Sequence, residues 1–289
     1  MSVSIKNPGF KGIPTTFTEQ EFETFVLPHL SVGTRGPKPK IPLFRFFYYI
    51  SLVLYTGMQW HMLQIKNDES GQPEIHYTRI FRKFSQWCLN GSLMRFFESS
   101  VLLLAKKRLI DSSVLHGDGS SYAAKKGGDN LGYSGHKHFQ GEKIVAIVDR
   151  NVNVISPLTL AAGNRHESPL FMTAFEHLKN ICRSANITVK NSIMSLDSAY
   201  DSFKNRKAIF NAGMVPNIKE NVRNLKKIKR GKKRIFDEAI YQERFQTVER
   251  LFAWEDKFKR LLQRFEFKSI HHLGMKLIAF TFINLRHFV

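Results

Sequence analysis

Residues 143–160 read KIVAIVDRNVNVISPLTL, and this stretch decides the fold class. Its two apolar runs are rich in β-branched side chains and are separated by the polar segment Asp149–Asn153, a pattern typical of two strands joined by a turn. Asp149 is best explained as a turn former, because aspartate side chains accept hydrogen bonds from the backbone of turns. The stretch therefore predicts a β-hairpin.

Two further short strands are predicted on either side of this hairpin, and an acidic residue follows the apolar part of each. The first strand, Val114–Ser121 (VLHGDGSS), contains Asp118, and the second, Asn191–Tyr200 (NSIMSLDSAY), contains Asp197. Helices are predicted between and after the strands, one of them with Ser168 as its N-cap. This order predicts a mixed α/β sheet with helices on its faces, in which ligands collect at the carboxyl ends of strands.

A long amphipathic helix is predicted at residues 237–267, DEAIYQERFQTVERLFAWEDKFKRLLQRFEF, which contain no Gly or Pro. Its apolar stripe is formed by Phe245, Val248, Phe252, Leu262 and Phe265. Glu249 projects near this stripe, where an unpaired carboxylate would cost several kcal/mol if it were buried. Glu249 therefore needs a partner, or else it is an edge residue that reaches solvent or forms an i, i+4 ion pair.

The first 110 residues predict a separate helical domain, and residues 111–289 the α/β domain. Helices are indicated at Leu43–Tyr55, Ile75–Leu89 and Ser92–Leu109, after a capping box at Thr18–Glu21. The second of these places Arg79, Arg82 and Lys83 on one side, as in a small helix-turn-helix-like domain that binds DNA. A plain helical packing domain with solvated cations explains the same pattern.

Composition indicates a polyanionic partner. The chain has 289 residues, 43% of them hydrophobic, and a net charge of +20. A membrane surface is the alternative to nucleic acid, but the longest apolar run, Ile41–Tyr55, carries Arg45 and is shorter than the roughly 20 residues needed to span a bilayer. The first residues show no secretory signal, and two cysteines make neither a disulfide framework nor a zinc cluster. We therefore expect a cytoplasmic protein.

Basic residues concentrate between the second aspartate and the long helix, within residues 219–235. Eight cations occur in the twelve residues RNLKKIKRGKKR without an acid. A solvated loop is the simplest explanation, but such a density favours contact with the DNA backbone. The expected contacts are Arg223, Lys226, Lys227, Lys229, Arg230, Lys232, Lys233 and Arg234.

Three histidine-containing sites are further candidates. His136 and Lys137 lie in a cationic loop that could contact phosphate, whereas a solvated loop is the alternative. His166 and Glu167 precede a helix and could support the carboxylates through hydrogen bonds. His116 lies two residues before Asp118 on the same strand face, and a hydrogen-bonded core histidine explains it best.

The acidic residues Asp118, Asp197 and Glu249 could converge on one site. Carboxylates that converge repel one another unless cations lie between them, and Mg²⁺ prefers oxygen ligands of this kind. Two such ions about 4 Å apart activate a water or a 3′-hydroxyl for phosphodiester cleavage or transfer. Spacing alone is a weak signal for such a site.

The residues around these acids resemble a known family. The motifs HGDGSS, SLDSAYDS and especially YQERFQTVERLFAW resemble bacterial insertion-sequence DDE transposases of the group related to insertion sequences four and five, and the likeness extends from about Gly36 to Phe288. The resemblance implies a ribonuclease H-like fold and two Mg²⁺ ions, replaceable by Mn²⁺, held by Asp118, Asp197 and Glu249. It also implies double-stranded DNA partners (terminal inverted repeats and target DNA), a homodimer in the synaptic complex, and a place in the bacterial nucleoid.

One motif of these relatives is altered here. They often carry Y-x2-R-x3-E-x6-K on the long helix; Tyr241 and Arg244 keep their spacing, whereas Glu249 comes one residue late and Lys257 follows. The resemblance implies contacts of Tyr241, Arg244 and Lys257 with the DNA end. Two alternatives stay open: a ribonuclease H-like nuclease or resolvase, and a domesticated DNA-binding protein without catalysis.

Overall fold

The computed structural model describes residues 12–33, 39–135, 137–221 and 234–289. These residues form two compact units. The helical unit comprises the described residues of Met1–Ser100, Ala124–Asp129 and Trp254–Val289, and the sheet unit comprises those of Val101–Ala123 and Asn130–Ala253. A domain boundary at residue 110 stays a proposal.

Eight α-helices occur in the described residues, besides short 3-10 and π turns. Their bounds are α1 Glu19–Glu21, α2 Leu43–Thr56, α3 Tyr77–Leu89, α4 Ser92–Lys106, α5 Glu167–Ser184, α6 Phe203–Asn211, α7 Glu238–Glu255 and α8 Ser269–Leu285. The capping box predicted at Thr18 and Glu21 is present. Gly57, with a φ of 74°, ends α2 as predicted. None of the described helices combines the length and hydropathy needed to cross a bilayer.

The helical unit has an aromatic core that α2, α3 and α8 help to build. Phe47 of α2 packs against Phe282 of α8, and Phe84 of α3 packs against His271 of α8. Phe47 and Phe84 are fully or almost fully buried. Apolar burial of this kind stabilises helices that would be marginal alone. A helix-turn-helix role in DNA binding remains a prediction.

The sheet unit is built on a mixed six-stranded sheet. Its strands are β1 Val114–Ala123, β2 Gly132–Ser134, β3 Phe139–Asp149, β4 Thr159–Ala162, β5 Ile193–Leu196 and β6 Val215–Ile218. The order is β2-β3-β1-β5-β6, and β4 pairs with β3. The pairs β1–β3, β2–β3 and β3–β4 are antiparallel, whereas β1–β5 and β5–β6 are parallel. The predicted mixed α/β class is confirmed, and the topology is compatible with a ribonuclease H-like fold.

The predicted hairpin is only partly correct. The turn is confirmed, because Asp149 Oδ1 accepts a hydrogen bond from the Asn153 amide at 2.7 Å. After the turn, however, the chain makes a single bridge from Val154 to Val148 and pairs with β3 again only at β4. Pro157 lies in this gap, and proline has no N–H group to donate to a strand partner. The long partner of β3 is β1 instead.

The predicted N-cap of α5 was two residues too late. The helix begins at Glu167 with His166 as its N-cap. Ser168 does not cap it, because the Ser168 hydroxyl and carbonyl oxygens accept hydrogen bonds from Asn205 Nδ2 at 3.0 and 3.2 Å. The serine therefore connects α5 to the start of α6.

The predicted helix over 237–267 was too long, and its buried face was wrong. The α-helix ends at Glu255, after which Phe258 and Leu261 are buried and Lys259–Leu261 form a 3-10 turn. Tertiary burial of these two side chains overrides helix propensity. Within α7 the buried residues include Tyr241, Arg244, Val248 and Leu251, whereas Phe245 is 38% exposed. The stripe is therefore rotated, and Glu249 is exposed.

Candidate functional site

The two predicted aspartates lie side by side on the sheet. Parallel pairing of β1 with β5 runs up to Gly117 opposite Leu196, so Asp118 and Asp197 are the next residues of the two neighbouring chains. Asp197 directly follows β5, as predicted. Asp118 lies within β1 rather than at its end, because β1 continues alongside β3 to Ala123. Their side chains are 28% and 38% exposed, so both carboxylates can be reached from solvent.

Helix α7 supplies hydrogen-bond partners to both carboxylates. Arg244 Nη1 donates to Asp118 Oδ2 at 2.7 Å, and Arg244 Nη2 lies 3.9 Å from Asp197 Oδ1. The Tyr241 hydroxyl donates to Asp197 Oδ1 at 2.9 Å. The Arg244 side chain is only 2% exposed, and its guanidinium carbon Cζ lies 5.4 Å from the centre of the Tyr241 ring. Charge-assisted bonds from a buried arginine hold carboxylates in fixed positions.

Burial has the largest effect on the pKa values of Asp118 and Tyr241. It raises the pKa of Asp118, and the neighbouring Asp197 raises it further, while Arg244 and the Gly119 amide act in the opposite direction. Burial, followed by the hydrogen bond to Asp197, raises the pKa of Tyr241. Tyr241 is therefore a neutral hydrogen-bond donor at physiological pH.

A buried histidine on the same strand face connects β1 to α7. His116 Nε2 lies 3.1 Å from Glu243 Oε1, and Arg150 donates to both oxygens of Glu243 at 2.7 and 2.8 Å. Burial lowers the pKa of His116. The interpretation as a hydrogen-bonded core histidine is confirmed. Glu243 and Arg150 were missed, since only the fold brings residues so distant in sequence together.

The third predicted acid is not gathered with the two aspartates. Glu249 is exposed on α7, and no group of three or more His, Cys, Asp or Glu side chains is arranged to hold a metal ion within the described ranges. Asp118 and Asp197 nevertheless provide adjacent, accessible oxygen donors, which is the donor chemistry of Mg²⁺ with water and phosphate oxygens as remaining ligands. The pair therefore fits a divalent cation, and the role of Glu249 stays a prediction.

Glu167, at the start of α5, approaches β1 next to Asp118. A methyl group placed on Gly119 would lie 3.2 Å from Glu167 Cδ and 3.0 Å from the Tyr200 hydroxyl oxygen. Lys143 Nζ lies 3.4 Å from Glu167 Oε1. The predicted companion His166 is exposed at the N-cap of α5. Tyr200 and Lys143 were not predicted, and no sequence signal identifies them.

The predicted basic contacts are only partly described. His136 and the cations of 223–233 (Arg223, Lys226, Lys227, Lys229, Arg230, Lys232 and Lys233) lie outside the described residues. Arg234 lies 3.1 Å from Asp201 and 3.2 Å from Glu220, so acids already neutralise it. Lys137 is exposed. Lys257 belongs to the helical unit, where its Nζ donates to the Ile13 carbonyl at 2.6 Å.

A second basic surface, which we call the α3 surface, lies in the helical unit. It surrounds a cavity of about 670 Å³ with an apolar floor that includes Phe46 and Ile75. The nearby Glu74 Oε1 already accepts hydrogen bonds from Arg45 Nη2 and the Tyr49 hydroxyl, each at 2.6 Å. A cluster of cations favours a phosphate-rich partner. The cations of this surface are Lys40, Arg79, Arg82 and Lys83.

Comparison with known proteins identifies the family. The family model described as "Transposase DDE domain" matches residues 104–282, more than half of the chain. A search of curated proteins finds no match. The matched region contains the adjacent aspartates on β1 and after β5, together with α7, which supplies their partners. The chain belongs to the transposase DDE domain family.

Proposed function

We propose that this protein is a transposase that cleaves phosphodiester bonds at the ends of its own element and joins the freed 3′-hydroxyl to target DNA. The observation that carries this proposal is the adjacent pair Asp118 and Asp197 in a transposase DDE domain. The net charge of +20 supports a nucleic-acid partner. We place it with the bacterial insertion-sequence enzymes related to insertion sequences four and five, acting in the cytoplasm at the nucleoid.

In this proposal Asp118 and Asp197 hold two Mg²⁺ ions, or Mn²⁺ in their place. When bound, such ions activate the attacking oxygen and neutralise the charge that develops on the phosphate. Glu249 is proposed as the third acid, in keeping with the motif around it. Because three carboxylates are proposed, the site has more negative charge than one arginine can balance.

The chain's own side chains fix the geometry. Arg244 holds the Asp118 carboxylate through its 2.7 Å hydrogen bond, and Tyr241 holds Asp197. Both are nearly fully buried, so their side chains lose little further entropy when DNA binds. Preorganised groups of this kind account for much of catalysis in phosphoryl transfer. The contacts of Tyr241, Arg244 and Lys257 with the DNA end that the resemblance implies stay predictions, and for the buried Tyr241 and Arg244 they require the side chains to move when DNA binds.

DNA binding is assigned to the basic residues. We propose that the segment 223–234, with His136 and Lys137, contacts the phosphate backbone close to the cleavage site. Such contacts supply affinity and salt dependence rather than sequence recognition. Two DNA ends must meet for transposition, so a homodimer is proposed for the synaptic complex.

The test is a cleavage and strand-transfer assay on oligonucleotides that carry the inverted repeats flanking the gene. With Mg²⁺ or Mn²⁺ we expect nicking at the repeat end and joined products with a target plasmid. Both products should disappear in Asp118→Asn and Asp197→Asn, while Glu176→Gln, which changes an exposed glutamate on α5, should retain them.

The alternative functions give different products. Nicking without joined products indicates a nuclease or resolvase, and specific binding of the repeats without nicking indicates a domesticated binding protein. Either result contradicts the proposed transposase. Loss of activity in Glu249→Gln, with binding of DNA unchanged, is expected if Glu249 is the third acid.

A further inference from the structure

The strand residue after Asp118 is a glycine with a specific steric role. A β-carbon at Gly119 would lie 3.0 Å from the Tyr200 hydroxyl oxygen and 3.3 Å from Glu167 Oε2. These distances are too short for relaxed contacts, so two polar groups occupy the space that a side chain would fill. The absence of a side chain thus lets Glu167 and Tyr200 approach the backbone of β1 directly beside Asp118.

Among the described residues, the Tyr200 hydroxyl in this space has no hydrogen-bond partner. Tyr200 is fully buried, and its hydroxyl oxygen forms no hydrogen bond within the described part of the chain. Native proteins rarely leave a buried hydroxyl without a hydrogen-bond partner. A bound water or a hydrated ion would provide that partner.

Three carboxylates near the Tyr200 side chain affect its pKa. Burial raises the pKa of Tyr200 well above its ordinary value, and then Glu167, Asp118 and Asp197 raise it further, in that order. The tyrosine is therefore a neutral hydroxyl close to three carboxylates. The cation Lys143 pairs with Glu167 Oε1, whereas the other carboxylate oxygen, Oε2, lies beside Gly119. The Lys143–Glu167 contact is 3.4 Å long and partly exposed, so it is weak.

We propose that Glu167 is an additional acid of the metal site, and that its carboxylate, with Asp118 and the Tyr200 hydroxyl, receives a hydrated divalent cation beside Asp118. This inference rests on the proposed metal-dependent function and extends it. Tyr200 acts through water on the ion, since an O–H group is a better partner for a bound water than for the ion itself. An acid then approaches Asp118 from α5, whereas α7 supplies the hydrogen-bond donor Arg244.

The test measures Mn²⁺ binding to the DNA-free protein by calorimetry and by electron paramagnetic resonance of unbound Mn²⁺. We expect Glu167→Gln to weaken Mn²⁺ binding roughly 10-fold or more, with a smaller loss in Tyr200→Phe. Gly119→Ala should also weaken it, because the added methyl group would push the Glu167 carboxylate and the Tyr200 hydroxyl away from Asp118. Lys143→Gln is the matched control, and it should leave Mn²⁺ affinity unchanged or slightly tighter.

The possible results separate this inference from the proposed function. If Asp118→Asn loses Mn²⁺ binding while Glu167→Gln and Gly119→Ala bind like the wild type, the role of Glu167 is refuted and the aspartate site stands. If the wild-type protein binds no Mn²⁺ without DNA, the role of Glu167 is refuted, whereas the proposed function is still decided by the cleavage and strand-transfer assay. If Glu167→Gln and Lys143→Gln lose thermal stability equally and both keep wild-type Mn²⁺ affinity, Glu167 serves only as the ion-pair partner of Lys143, which also refutes the inference.

Discussion

Arg244 Nη1 donates a 2.7 Å hydrogen bond to Asp118 Oδ2 across 126 residues of sequence, from a side chain that is only 2% exposed. The same guanidinium lies 3.9 Å from Asp197 Oδ1. One buried cation thus neutralises part of the charge of both aspartates and links α7 to two strands. This arrangement explains how two acids can lie side by side in the folded protein without strong mutual repulsion.

Removing this guanidinium should destabilise the protein. Arg244→Met leaves the Asp118 carboxylate without its strongest donor, and we expect a loss of about 1–3 kcal/mol in the free energy of unfolding. Arg244→Lys should recover part of it, because lysine keeps the charge but not the forked geometry. Urea unfolding measures the free energy of unfolding of both variants. Arg250→Met, on the exposed side of the same helix, is the control and should change stability by less than about 0.5 kcal/mol. Equal losses at the two positions would contradict the assigned role of Arg244.

Lowering the pH should weaken the ion pair between Glu243 and Arg150 and the hydrogen bond between Glu243 and His116. The bidentate hydrogen bond from Arg150 lowers the pKa of Glu243 below its ordinary value of 4.5, and His116 lowers it further, although burial acts against them. Because the folded-state pKa is lowered, the stabilisation is present above the ordinary pKa and is lost as pH falls through the folded value. The difference in unfolding free energy between wild type and Glu243→Gln should therefore shrink as pH falls from about 7 to about 3.

The partner variant provides a check on this pH effect. Arg150→Met removes the same ion pair, so Glu243→Gln and Arg150→Met together should cost less than the sum of the two single changes. A pH-independent difference between wild type and Glu243→Gln would show that the glutamate contributes by packing alone.

The α3 surface should contribute to DNA affinity. Arg79 and Arg82 are exposed on α3 beside a cavity whose nearby acid, Glu74, is already paired. In an Asp118→Asn background, which prevents cleavage, Arg79→Glu with Arg82→Glu should weaken duplex binding. The log–log slope of affinity against salt should also fall by about one unit for each phosphate that the protein no longer neutralises. Fluorescence anisotropy at several salt concentrations measures both effects.

A control with the same change of net charge distinguishes a specific contact of the α3 surface with DNA from non-specific electrostatic attraction. Lys204 and Lys207 are exposed on α6, and Lys204→Glu with Lys207→Glu changes the net charge by the same amount. We expect this pair to weaken binding much less. If both pairs weaken binding equally, the α3 surface makes no special contact with DNA.

The end of α2 depends on a glycine for two separable reasons. Gly57 has a φ of 74°, and a β-carbon there would lie 3.2 Å from the backbone carbonyl carbon of Lys259. Gly57→Ala should lower thermal stability by about 1 kcal/mol or more, because both the left-handed backbone and the close contact oppose a side chain. Gly71 has a φ of 75° with no neighbour within 4 Å, so Gly71→Ala isolates the backbone effect. The Gly57 variant should be the less stable of the two in calorimetry.

Sequence by itself determined the elements with strong local signals. The short apolar runs before Asp118 and Asp197 and the β-branched run in β3 predicted strands close to their observed positions, and the capping box at Thr18 and the stop at Gly57 are as predicted. These features depend on neighbouring residues alone, since side-chain alternation, caps and left-handed turns act within a few residues. The predicted mixed α/β order was also enough to bring Asp118 and Asp197 to one part of the sheet.

Only the tertiary structure decided which side of α7 faces the sheet. Helical periodicity gives the angle between side chains but not the angle of the helix against its neighbours, so a stripe containing Phe245 and a face containing Arg244 fit the same sequence. In the fold the face with Arg244, Val248 and Leu251 is buried and Arg244 donates to Asp118, whereas Glu249 is exposed. The approach of Glu167 and Tyr200 to Gly119 likewise follows from packing between residues far apart in sequence, which no local pattern encodes.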